Sequence, residues 1–118
     1  MMQRENRDAA HLLHGLADIY QRAGQSPRAL VMLLLATQIT PDDPILLRRL
    51  AVVFTAVGDG ERALAALDRI SQLTVSSPEH EPTELLLLRS RALLRAGRGA
   101  EGRQLFRHYL SRRGSNAA

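Results

Sequence analysis

Tyr20 and Phe54 stand thirty-four positions apart, and a common pattern of large, small and turn-forming residues surrounds each of them. Aligned on Gly24 and Gly58, Leu13 falls on Leu47, Leu16 on Leu50, Ala17 on Ala51, Ala29 on Ala63 and Leu33 on Leu67. The agreement runs through two helix-length segments, so the repeating object is a pair of helices and not a local motif. A unit of that size cannot bury its apolar face alone and stacks on copies of itself.

The period is that of the tetratricopeptide repeat (TPR), and the punctuation divides the chain accordingly. Asp8 is placed to cap a first helix that runs through Tyr20 to Ala23, where Gly24 supplies a left-handed residue. Ser26 followed by Pro27 reads as a cap and first-turn proline for a second helix reaching Ile39, closed by Thr40-Pro41. Asp43-Pro44 repeats the start signal for a third helix ending at Gly58. Asp59 and Gly60 turn into a fourth, running through Ala63, Leu64, Leu67 and Ile70, an i, i+4, i+7 apolar stripe that faces the stack. Val75, Ser76, Ser77, Pro78, Glu79, His80, Glu81 and Pro82 then read as a joint about five residues longer than the basic period. A fifth helix starts from a Pro82 or Thr83 cap and runs from Glu84 to Ala96. After the Gly97 to Gly99 turn a sixth runs from Ala100 to about Arg112. Gly102 stands in register with Ala29 and Ala63, and Phe106 with Leu33 and Leu67. The expected fold is all-α: three TPR-like helical hairpins, about six helices, forming a short right-handed solenoid. The single domain spans residues 1–118, with repeats at about 10–43, 44–76 and 83–113 and a flexible tail at 114–118.

Composition agrees with that reading. The chain has 118 residues, enough for one continuous core and not for two. Aromatics make up only 3%, so the interior falls to Leu, Ala and Val. Cysteine is absent, which removes disulfides and thiol chemistry, and zinc would have to rely on four scattered histidines. Residues 1–8 are polar and mixed in charge, unlike a secretory signal. The longest uncharged stretch, residues 29–41, is short of the ~20 residues that span a bilayer, and the expected compartment is the cytoplasm. All sixteen cations are Arg, giving a net charge of +4.

Two kinds of surface remain after the hairpins are paired. In the second helix, Leu30, Val31, Met32, Leu33, Leu34 and Leu35 occupy every side, more than one interface uses. The sixth helix presents Leu105, Phe106, Tyr109 and Leu110 with no further helix to cover them. The inner wall of a TPR stack comes from the first helix of each pair. Here it takes His11, His14 and Asp18, then Ile45, Arg48, Arg49, Val52 and Thr55, then Glu84, Leu87, Arg91 and Leu94. Apolar floor interleaved with Arg suits an amphipathic helix or extended peptide with carboxylates, Ile45, Val52, Leu87 and Leu94 taking its apolar face. The expected partner-binding set is therefore His14, Asp18, Ile45, Arg48, Arg49, Val52, Thr55, Leu87, Arg91 and Leu94 on that wall, with Phe106 and Tyr109 on the last helix. A homodimer that buries the same apolar excess is the alternative.

Other constellations carry less. His11, His14 and Asp18 share one helix face, but a fourth metal ligand is missing, and they read as polar groove residues. Gly97, Arg98 and Gly99 follow no strand and precede no Lys-Ser or Lys-Thr, so they are a hairpin turn and not a phosphate loop. No Ser, His and Asp set falls where hairpins would unite it, and neither an enzyme nor a cofactor is expected. Eight Arg against the single acid Glu101 between Arg89 and Arg113 is the best case for nucleic acid, yet that stretch has only Phe106 and Tyr109 as stacking groups, both at expected core positions.

The stretch Ser90-Arg91-Ala92, then Gly97, then Arg103, Phe106, His108, Tyr109 and Leu110 resembles the end of the YscY/SctY family, small TPR chaperones of bacterial type III secretion systems. Gly15 and the turn Gly60-Glu61-Arg62-Ala63 are similar too. The resemblance covers most of the chain. It implies a heterodimer with a secreted SctX/YscX-like protein, kept soluble in the bacterial cytoplasm, and an association with the export gate protein SctV. A TPR chaperone of the needle subunit or of translocators is the runner-up.

Overall fold

In the computed structural model, which describes residues 2–74 and 81–117, the chain folds into six helices and no strand among the described residues. They are α1 (Met2–Arg22), α2 (Ser26–Thr37), α3 (Pro44–Ala56), α4 (Gly60–Thr74), α5 (Thr83–Arg95) and α6 (Gly99–Ala117). Helices α1 and α2, α3 and α4, and α5 and α6 form three hairpins. These stack through α2 on α3 and α4 on α5, and α5 also touches α3. The result is a TPR-like array measuring 47 × 28 × 25 Å.

One turn is used three times. Gly24, Gly58 and Gly97 all take positive φ, at 74°, 88° and 78°. At each, the next amide reaches back five residues: Gln25 to Tyr20 O (2.8 Å), Asp59 to Phe54 O (2.8 Å) and Arg98 to Leu93 O (2.9 Å). Each glycine amide also donates to the carbonyl three residues earlier, on Gln21, Thr55 and Leu94. This double closure satisfies the orphaned carbonyls of α1, α3 and α5, and it needs a left-handed residue, which favours glycine. The third hairpin is thereby established as a true copy, displaced by five residues from the thirty-four-residue period. The joint residues that account for the displacement, 75–80, lie outside the described residues.

Small residues set how closely the helices approach. Ala17, Ala51 and Ser90 are buried at equivalent positions, as are Ala29, Ala63 and Gly102. Gly102 replaces alanine because the third hairpin is tighter: an added Cβ would lie 3.0 Å from Ser90 O and 3.1 Å from Leu94 Cγ. Leu33, Leu46, Leu67 and Leu86 are fully buried and anchor the core, each contributing roughly 1.5–3 kcal/mol. The buried hydroxyls of Thr55 and Ser90 donate to the carbonyls of Ala51 (2.7 Å) and Leu87 (2.8 Å), so neither strands a polar group.

Helix ends depart from the sequence reading at α1, α2 and α6, and α2 and α3 also stop at Thr37 and Ala56, each two residues short of the expected Ile39 and Gly58. Helix α1 begins at Met2 and not at Asp8, since residues 2–7 hold no proline or glycine to stop it. Ser26 does not cap α2. Gln25 takes the cap position without a side-chain bond, and the Ser26 hydroxyl instead donates to Gln21 Oε1 at 3.0 Å. Helix α6 continues to Ala117, past the tail expected from residue 114, because no proline follows Arg112 and Gly114 alone does not end it. Asp43 behaves as expected, accepting from the Ile45 amide at 2.9 Å.

The third hairpin is also fastened by charge. Arg89 on α5 donates to both carboxylate oxygens of the buried Glu81 (3.3 and 3.2 Å) and to Asp68 on α4 at 2.7 Å. Arg112 on α6 donates to Glu81 O at 2.7 Å. Arg89, a departure from the repeat pattern, is thus a link between the second and third hairpins.

Candidate partner-binding surfaces

The expected inner-wall residues fall into two separate groups. Between α1 and α3 lies a cleft of about 290 Å³, floored by Ala17, Leu33 and Val53. Asp18, Ile45, Arg48, Arg49 and Val52 surround it. A second cleft of about 470 Å³ adjoins it toward the start of α1, sharing Ile45 and Arg49 and adding His11 and His14. Helix α3 explains the arrangement: its buried face holds Leu46, Leu50, Val53 and Phe54, and what remains outward is the pair Ile45 and Val52, one stripe at i and i+7, with Arg48 and Arg49 on either side. Ile45 is 65% exposed and Val52 40%.

Electrostatics there favour an anion. Among the described residues neither Arg48 nor Arg49 makes an ion pair, while Asp18 is engaged by Arg22 at 3.1 Å. His14 is held below its ordinary value of 6.5, first by burial and then by the Arg49 cation, with Asp43 pulling the other way and His11 adding a smaller push. His11, His14 and Asp18 do not assemble into a metal site, and no group of three or more metal-ligating side chains does so among the described residues.

Leu87, Arg91, Leu94 and Phe106 are brought together elsewhere, around a groove of about 640 Å³ between α5 and α6. This groove lies at the end of the stack and is distinct from the α1–α3 cleft. Two expectations need correction. Thr55 does not line the inner wall: it is 8% exposed, and its hydroxyl is turned back onto α3. Phe106 is not a core residue although it stands in register with Leu33 and Leu67; it is 41% exposed where they are 1% and 0%, because no further helix among the described residues covers it. Tyr109 is half-buried and stacks on Phe106 with ring centroids 5.9 Å apart, without lining the groove itself. Arg103, Arg107 and Leu110 complete the groove, although the inner-wall offsets of the repeat do not select them. Arg103 and Leu110 stand at i−3 and i+4 from Phe106, and Arg107 at i+4 from Arg103, the helical spacings that mark them.

The outer face of α2 is apolar as expected, with Val31, Leu34 and Leu35 exposed. No helix among the described residues is long and apolar enough to cross a membrane. No model of a known protein family matches this chain, and no curated protein matches it either.

Proposed function

We propose that this protein is a small TPR-type chaperone that holds a helix-forming segment of another polypeptide in the cleft between α1 and α3. The observation that carries the reading is the stripe of Ile45 and Val52 over the floor of Leu33 and Val53, flanked by Arg48 and Arg49, which form no ion pair among the described residues. An amphipathic segment would lay its apolar side on that stripe and set carboxylates against the two guanidinium groups. Nothing in that arrangement calls for chemistry on the partner, so the role is binding and shielding. The resemblance to the YscY/SctY family gives the partner a class, a secreted SctX/YscX-like export-apparatus protein, and assigns the complex to the bacterial cytoplasm before delivery to an SctV-type export gate. A binding partner stabilises the folded chaperone by mass action, so the free chain is expected to be the less stable form.

The test is coexpression with the small proteins encoded beside it, followed by copurification. Val52→Asp places a carboxylate on an exposed position, which leaves the fold intact, and is expected to abolish capture of the cognate chain while helicity survives. Undiminished capture by the folded variant refutes the α1–α3 cleft as the seat. A homodimer is the second reading, favoured by the exposed Val31, Leu34 and Leu35 of α2. It forecasts a two-chain mass by light scattering without any partner.

A further inference from the structure

The groove between α5 and α6 is the place where the repeat would continue. Helix α5 itself sits against both α3 and α4, where Leu67 is completely buried. At the same step of the third hairpin no helix comes after α6 among the described residues, and Phe106, in register with Leu67, lies open beside Leu94 and Leu110, which are 51% and 47% exposed. The groove keeps the shape of its predecessors: Ser90 and Gly102 supply the small floor that Ala51 and Ala63 supply one repeat earlier. It runs from Leu87 to Leu94 on α5 and from Gly102 to Leu110 on α6, eight and nine residues, or about 10–12 Å of helix.

Its rim is uniformly cationic. Arg91, Arg103 and Arg107 border the apolar strip, and among the described residues none of them is in an ion pair. Glu101, two residues before Arg103, is taken by Arg98 at 2.8 Å, and Glu84, three residues before Leu87 on α5, lies outside the groove lining. A second copy pairing through the same face would set these arginines against their own images, so two-fold self-association is disfavoured.

From this geometry we infer that the α5–α6 groove receives a seventh helix from a different polypeptide, an amphipathic segment of about three turns with apolar residues at i, i+4 and i+7 and carboxylates along both edges. The segment completes the stack in the register of the next repeat. It is separate from the segment proposed for the α1–α3 cleft, and either site can fail without the other.

The experiment uses the full chain and a labelled, end-blocked peptide of about three turns, with leucines at that spacing and glutamates on both flanks, read by fluorescence anisotropy. Phe106→Glu is expected to weaken binding about tenfold or more, whereas Arg69→Ala, on the surface of α4 and outside both clefts, changes it less than about twofold. The double variant Arg103→Glu with Arg107→Glu leaves the apolar strip intact, and is expected to reverse the preference toward a peptide carrying lysines in place of the glutamates. Three results overturn the inference: no binding by the wild-type chain, equal binding of the glutamate and lysine peptides, or insensitivity to Phe106→Glu. A dimer of the free chain that Phe106→Glu dissolves also overturns it, since the occupant is then a second copy. Loss of peptide binding on Val52→Asp alone overturns it too, and assigns the peptide to the α1–α3 cleft.

Discussion

Gly60→Ala and Gly15→Ala make a matched pair that tests how closely the hairpins are stacked. Both glycines are helical, so a propensity argument alone predicts that alanine stabilises each, by up to about 1 kcal/mol. At Gly15 an added methyl meets nothing within 4 Å, and the gain is expected in full. At Gly60 the methyl would overlap the Ala92 carbonyl oxygen and the Ala96 amide nitrogen, and would stand 2.7 Å from the Arg95 carbonyl carbon. All three are backbone atoms of the end of α5, so no side chain can swing aside. The start of α4 and the end of α5 must separate, and overpacking of that kind costs about 1–3 kcal/mol. After the helix gain is subtracted, Gly60→Ala is expected to be destabilised by about 1–2 kcal/mol, lowering Tm by roughly 4–10 °C in a domain of this size. Gly15→Ala is expected to raise it by a few degrees. Thermal unfolding monitored by circular dichroism reads both. Equal shifts in the same direction would refute the close approach of the second and third hairpins.

Glu81→Ala removes the buried partner of Arg89 and leaves it only the exposed Asp68; a loss of about 2 kcal/mol is expected in urea unfolding, less than for a fully isolated buried charge. Arg69→Ala, which removes the surface pair with Asp42, is the control and is expected to leave the urea midpoint unchanged. The folded state holds the His14 pKa below its ordinary value, so the unfolded chain binds more protons as pH falls through about 6.5. Wild-type stability is therefore expected to drop relative to His14→Gln below that pH, and to match it near pH 8 apart from a constant offset. A pH-independent difference between the two proteins would show that burial and Arg49 do not act on the imidazole.

Most of the array is legible in the sequence because the TPR period is written in residues that act locally. Gly24, Gly58 and Gly97 announce their turns by identity, and Asp43-Pro44 announces the start of α3. The floor residues Ala17, Ala51 and Ser90 come from the same register. Ends without such markers are harder to place: α1 and α6 both run beyond the expected limits, and Ser26 bonds Gln21 in place of capping α2. The inner wall on α3 is recoverable because its apolar and Arg positions alternate at helical spacing. Thr55 escapes that reading because a helical offset does not say how wide the buried face is, and on α3 that face extends one residue further than the offset implies. Phe106 matches Leu67 in register, but the analogy carries burial only where a next helix exists. The split of the wall into two clefts, and the α5–α6 groove itself, depend on how α1 is spaced from α3 and on what packs against α6. Neither quantity is carried by any local pattern.

The three back-reaching turns contact only main-chain atoms, so Tyr20, Phe54 and Leu93 are interchangeable as far as each turn is concerned. Each turn joins the two helices of one pair, so the same device can close any number of pairs. The molecule is in this sense modular: a fourth unit copied from residues 44–74, with its own glycine turn inside it and joined after α6 by a link like residues 38–43, has a ready-made berth. Grafting it would cover the α5–α6 groove and lengthen the coil by one turn of the stack.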